Sequence, residues 1–364
     1  MKAGRINNKT KNKMRKNISL ILIATLLLGF YGCNNDEWEF PDFDYTTTYF
    51  PYQYPVRTLV LGEYNFDNQN DNDLKFIISA RVGGMYSNKT NVQVQYEVDP
   101  ALVQNLTSAA NLFDGKPAAS ADTFRLLPAE YYTLSPVNQF VIPNGEFDGG
   151  IEVQLTEAFL NDPLAARTTY VLPLRLVSTT TDSILLGRST LESPDPRVPG
   201  QWVIPPKNFT VFGIKYVNEY HGKYLHRGRS IIADASGTPV DTIVYRQKYV
   251  EKDEVWALQT QSRYEVTVTG TLRKLPQSPG KFSMMLTFDG DKNCVISTAQ
   301  GSAFAVTGTG KLVEDGDEWG GNPQNAIHLN YTVTENGFQH AVTDTLVFRD
   351  KAVGFIEYTP IVVQ

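Results

Sequence analysis

Cysteine and histidine are scarce in this chain: two of the first and four of the second among 364 residues. Cys33 and Cys294 cannot build a disulfide framework, so stability must come from hydrophobic cores. With no cysteine cluster and only His221, His226, His328 and His340, a structural zinc site has no ligand set. No serine stands in a Gly-x-Ser-x-Gly elbow, which leaves a hydrolytic triad without support. His221 and His226, five apart, would face opposite sides of a strand, and His328 between Ile327 and Leu329 reads as outward or barrel-lining. Nothing after residue 40 reads as a long amphipathic helix, and no internal repeat stands out. These absences point away from an enzyme and from any bound metal or cofactor.

Positive charge is also missing from most of the chain. Of 33 Lys and Arg, seven precede residue 33 with no acidic residue among them, so the remainder carries 26 cations against 39 Asp and Glu, a formal charge of −13. That balance argues against nucleic acid and against binding anionic surfaces by charge. The basic start is followed by a greasy run, Ile18 to Tyr31, then Gly32, Cys33 and the polar Asn34-Asn35-Asp36-Glu37. Ile18 to Gly32 is only fifteen residues, too few for the roughly 20 that a membrane span needs. Basic region, short apolar region and small residue are the parts of a secretory signal. With Cys33 at the cut, the segment resembles a lipoprotein signal, although Phe30 and Tyr31 depart from the usual pattern. The resemblance implies a lipidated Cys33 and an outer-membrane lipoprotein. Asp36, Glu37 and Glu39 resemble the signal that sends such proteins to the cell surface.

The rest reads as strands: alternating, β-branched and aromatic runs bounded by Gly, Pro, Asn and Asp. Val92–Val98 alternates cleanly, so one face should be buried. Ser193-Pro-Asp-Pro-Arg-Val-Pro-Gly200, with Pro205 and Pro206, cannot sit inside a sheet and reads as a linker. A second strand series starts at Phe209, with turns such as Asp289-Gly290 and Asn336-Gly337, and predicts an antiparallel meander closed into a barrel or a sandwich. The expected organisation is a signal peptide over 1–32, a tether over 33–45, a β-sandwich over 46–192, a linker over 193–206 and a second all-β domain over 207–364.

Several stretches carry a resemblance: Thr48–Glu63, Gly83–Lys89, Leu127–Leu134, Ile142–Gly145, Val153–Leu164 and Thr169–Leu176. In that order they resemble a Bacteroidota family, domain of unknown function 1735, over about residues 46–190. The resemblance implies an immunoglobulin-like β-sandwich at the N-terminus of surface lipoproteins associated with glycan-uptake loci. Some members are endoglycosidases acting on N-glycans. The second half is similar to the β-rich domain often paired with it, for which a lipocalin-like barrel is expected.

An endoglycosidase of the chitinase type needs an Asp-x-x-Asp-x-Asp-x-Glu run and a TIM barrel of about 250 residues. Asp67–Asp73 has the aspartates without the glutamate or a preceding apolar strand. That run, and Glu314-Asp-Gly-Asp-Glu-Trp319, read either as solvated turns or as oxygen ligands for calcium, and the second also as a sugar contact. Carbohydrate binding needs flat aromatic faces flanked by amides and carboxylates. Trp256 and Trp319 sit in polar, turn-like contexts, Tyr220 and Tyr224 flank Gly222, and each could equally be core; Trp202, at the linker, is expected to pack the domains together. The resulting expectation is a non-catalytic, glycan-binding lipoprotein serving an outer-membrane uptake complex, with an N-glycan or other host glycan as ligand. The alternative is a structural or adhesive protein with a protein partner.

Overall fold

The computed structural model describes residues 43–108 and 123–363, so Cys33, the signal peptide and most of the tether lie outside it. Residues Asp44–Gln364 form one compact unit. Two sheets make the sandwich. The first runs Ser183–Ile184, Thr47–Tyr49, Lys75–Gly83, Asp148–Leu155, Tyr132–Ser135. The second runs Ile356–Glu357, Pro55–Val60, Phe209–Val217, Tyr170–Thr179, Val92–Val98, Gln139–Ile142.

Alternation decides which side chains enter the core. Val92, Val94 and Tyr96 are buried while Gln93, Gln95 and Glu97 are exposed. In Lys75–Gly83, Phe76, Ile78, Ala80 and Val82 turn inward to meet them. Full burial of each large apolar side chain contributes about 1.5–3 kcal/mol. The second sheet is covered on its other face too, by a smaller core of Val56, Leu102, Val171, Phe209, Val211 and Tyr358.

The domain boundary expected at 207 is displaced. Phe209–Val217 pairs antiparallel with Tyr170–Arg175 and parallel with Val56–Val60, inside the sandwich sheet. Phe209 and Val211 enter one core and Ile214 and Tyr216 the other. Only an inner strand of a sheet covered on both faces offers its residues two apolar environments. The proline-rich linker folds back on the sandwich, with Arg197 gripping Asp195 at 2.7 Å and donating to the Gln104 carbonyl at 2.5 Å. Trp202, expected to pack the domains together, instead donates to the Asp195 carbonyl within its own loop, at 2.8 Å.

The second domain is a closed antiparallel barrel of eight strands: Gly222–Asp234, Glu254–Ser262, Glu265–Leu272, Gly280–Phe288, Asn293–Thr298, Ala305–Trp319, Asn322–Glu335 and Phe338–Asp350. Neighbours in sequence are neighbours in space, and the last strand returns to the first along its whole length. A ninth strand, Pro239–Tyr245, lies outside the closed ring on the far half of the first. After the barrel the chain goes back to the sandwich, where Ile356–Glu357 pairs with Pro55–Val56 and Pro360–Val362 with Leu106–Ser108. The barrel is therefore inserted into the sandwich rather than appended to it.

Candidate functional site: a cleft at the sandwich–barrel junction

The barrel interior is filled, and this corrects three of the four aromatic candidates. Tyr220 and Tyr224 are 1% exposed and Trp256 4%. Tyr220 stacks on Phe288 at 3.6 Å, the Tyr224 hydroxyl donates to the Tyr220 carbonyl at 2.9 Å, and Trp256 stacks on His226 at 3.6 Å. Tyr224 and Trp256 occupy inward positions of barrel strands and Tyr220 lies in the turn before the first of them, so all three rings are packed in the core with no face open to a sugar. Trp319 is half-buried at a hairpin end, with its indole N–H donating to the Phe348 carbonyl at 2.9 Å. His328 points outward toward the Thr345 hydroxyl, at 3.2 Å, and His221 precedes the strand that holds His226.

Inside the barrel sits a buried polar cluster. Asp344 accepts from the Tyr245 hydroxyl at 2.5 Å and the Tyr331 hydroxyl at 2.6 Å. His226 Nε2 lies 2.9 Å from Asp344, out of line for a hydrogen bond, and Nδ1 lies 3.1 Å from Glu254. Arg273 closes the chain on Glu254 and rests 4.3 Å over the Tyr245 ring. This network ties strands Gly222–Asp234, Pro239–Tyr245, Glu254–Ser262, Asn322–Glu335 and Phe338–Asp350 together through buried side chains.

The open concavity lies where the sandwich meets the barrel, a cleft of about 740 Å³. Its sandwich wall is the segment from Gly62 through the short helix Gln69–Asn72. Gly62 takes a left-handed φ of +80°, and its N–H and carbonyl are held by Asn72 at 2.9 Å and Asn68 at 2.8 Å. Those side-chain clamps present Glu63, Tyr64 and Asn65 to the cleft. Tyr64 packs edge-on against Phe66 at 5.5 Å, and Phe66 is 72% exposed, giving the cleft an aromatic rim.

The barrel wall is built from Lys292, Glu314, Asp315, Gln324, Asn325 and Phe348, with Glu219 from the connection between domains. Glu314 belongs to the second acidic run, for which a solvated turn, a calcium ligand set and a sugar contact were open; it lies in the long strand Ala305–Trp319, beside a register shift between Val313 and Asp317. Lys292 donates to Glu314 at 2.6 Å and lies 3.8 Å from Glu219. The Glu314 bond raises the lysine above its ordinary value against the opposing effect of burial, and the same bond lowers Glu314. Both are thus charged at neutral pH. The side chains of Asn65 and Gln324 have no protein partner among the described residues.

The two acidic runs therefore meet at one cleft, the first through Asn68, Gln69 and Asn72 and the second through Glu314 and Asp315. Among the described residues, no group of three or more His, Cys, Asp or Glu side chains comes together as a metal-ligand set. Asp71 turns inward to pair with Arg57 and to accept from the Val60 N–H at 3.0 Å, and Asp73 pairs with Lys75 at 3.2 Å. Beyond the contact of Gly62 with Glu219 lies a second cavity of about 340 Å³, bordered by Tyr264 and Arg263.

A structural-genomics protein of unknown function from Bacteroides ovatus is 36% identical, with a TM-score of 0.78 over 88% of this chain and 100% of that one. This chain belongs to that protein's family. The domain of unknown function DUF5627 matches residues 219–352, which coincides with the inserted barrel. A second family model, described as an N-terminal domain, matches 43–183 within the sandwich. Two further Bacteroides ovatus structures are 11–12% identical, each covering 85% of this chain and 97% of their own. One is of unknown function and the other a multidomain protein including DUF1735; TM-scores of 0.39 and 0.40 leave them without weight for function. No curated protein matches.

Proposed function

We propose that this protein binds glycan without chemistry at the junction cleft. In this reading it is a lipoprotein anchored through Cys33 at the outer membrane, handing its ligand to an uptake complex. One observation carries the reading: two amide- and carboxylate-rich stretches, remote in sequence, converge on a single cleft beside the Tyr64–Phe66 rim. A pyranose offers an apolar face for an aromatic ring and hydroxyls for amides and carboxylates. Asn65 and Gln324 supply unengaged amides, and Glu63 and Asp315 supply acceptors. The cleft lies within the roughly 300–1,000 Å³ usual for small-molecule sites.

The test is a glycan array followed by calorimetry on residues 34–364. Tyr64→Ala should weaken binding about tenfold, or about 1.4 kcal/mol, and Gln324→Ala should weaken it less. An array with no binder, or a Tyr64→Ala protein that binds as the parent does, ends this reading. The protein-partner alternative has a feature of its own. Tyr52, Ile77 and Phe355 are 49%, 62% and 66% exposed around a groove of about 360 Å³, with the Tyr52 and Phe355 rings 5.1 Å apart.

A further inference from the structure

Resting on that reading, we infer that the cleft selects uncharged glycans and rejects those bearing carboxylate, sulfate or phosphate. Four carboxylates line it, Glu63, Glu219, Glu314 and Asp315, against one cation, Lys292. That cation is not available to an acidic sugar, because it is held by Glu314 at 2.6 Å and flanked by Glu219 at 3.8 Å. Recognition of a sialic acid, a uronate or a phosphosugar needs an arginine or lysine free to pair with the anion. Arg263, which borders the neighbouring cavity, is itself committed to Glu157 across the junction.

Long-range charge acts in the same direction. Outside its basic leader the chain has a formal charge of −13, so an anionic ligand approaches against the field of the whole molecule. Within the cleft, protein walls reduce the screening that bulk water would supply, so like charges brought together there repel more strongly than in solvent. A neutral hexose or N-acetylhexosamine meets none of this. Its hydroxyls are donors, which is what a wall of carboxylates and amide oxygens accepts.

The experiment uses matched pairs on residues 34–364: a high-mannose N-glycan with and without mannose 6-phosphate, and a complex N-glycan with and without terminal sialic acid. Each is titrated by calorimetry at about 0.02 M and 0.5 M salt. The neutral member of a pair should bind at least tenfold tighter at low salt, and the gap should narrow at high salt while neutral binding stays constant. The double variant Glu63→Gln with Asp315→Asn should raise affinity for the acidic member. Equal affinity within a pair, or an acidic preference, overturns the selectivity and leaves glycan capture standing. Failure of every member of both pairs removes glycan capture and the selectivity with it.

Discussion

Asp344 shows how one side chain can hold a barrel end together. It is 1% exposed, yet its carboxylate receives two tyrosine hydroxyls and stands 2.9 Å from His226. Gly228, opposite it, is required: a Cβ there would lie 2.0 Å from Asp344 Oδ1. Asp344→Ala would strand the Tyr245 and Tyr331 hydroxyls without their acceptor and take the neighbouring carboxylate from His226, and removing one partner of a buried pair costs about 3–5 kcal/mol. A large drop in melting temperature is the expected result, and an unchanged melting curve would refute the role. The cluster also makes stability depend on pH. Burial opposes a charged His226, but Asp344 and Glu254 outweigh it and raise the imidazole above its ordinary value. A raised histidine contributes stability that is complete below its unfolded pKa of about 6.5 and is lost as pH rises through the folded value. Glu254 is lowered to about 2, first by its bond to His226, so its contribution is present above about 4.3 and lost as pH falls toward 2. Denaturation midpoints should therefore gain from this cluster at about pH 5–6 relative to pH 8–9, a gain that His226→Gln removes. None of this was readable beforehand. Trp256 left core packing and an exposed sugar platform equally open because Glu251, Asp253 and Gln259 surround it in sequence; alternation turns it inward, and Asp253 is itself buried on Arg227 at 2.6 Å.

Strands were the most legible elements, and the junction between them the least. Val92–Val98 and Lys75–Gly83 announce their buried faces by alternation alone. Phe209–Val217 does not announce its sheet, since an apolar strand fits a sandwich interior as well as a barrel. The cleft was hidden for a related reason: its walls come from residues 62–72, 219, 292 and 314–325, which only the closed fold brings together. The aromatic pair Tyr64 and Phe66, set in an Asn- and Asp-rich stretch without strand alternation, was the one local signal. What fixes the cleft's width is the connection Asn218 to His221. Asn218 is 1% exposed and donates to the carbonyls of Ser262 at 2.9 Å and Glu265 at 3.1 Å, while Lys351 donates to the Glu219 carbonyl at 2.6 Å. Against that connection rests Gly62, where a Cβ would come within 2.4 Å of the Glu219 Cβ. Gly62→Ala must pay the left-handed backbone cost, roughly 1–2 kcal/mol, and push the two walls apart. The expected outcome is a lower melting temperature together with weaker glycan binding. A variant matching the parent in both would show that this contact does not set the cleft.

At the scale of the molecule, insertion of the barrel into the sandwich has an energetic consequence. The chain crosses between domains twice, at Val217 to Gly222 and at Asp350 to Ile356, and Arg263 bridges to Glu157 as a third link. The strands that follow the barrel complete the sandwich. Tyr358 is 4% exposed, packs on Phe124 at 4.6 Å and Tyr54 at 5.4 Å, and donates to the Val211 carbonyl at 2.8 Å. A barrel appended by one flexible linker could melt by itself, whereas here its unfolding loosens the return strands and uncovers the smaller sandwich core. Calorimetry should accordingly give one cooperative transition with equal calorimetric and van't Hoff enthalpies. Ending the chain at residue 353 removes Ile356–Glu357, Tyr358 and Pro360–Val362 and exposes Val56, Phe209 and Val211. Burial of Tyr358 alone is worth about 1.5–3 kcal/mol, and its hydroxyl and strand bonds add to that. The truncated protein should bind a hydrophobic dye and lose the single transition, with the sandwich melting first and the barrel, whose eight strands close on themselves, melting second. Two transitions in the intact chain, or a truncated chain that melts as the parent does, would show that the return strands are ornament and that the barrel is in effect a separate domain.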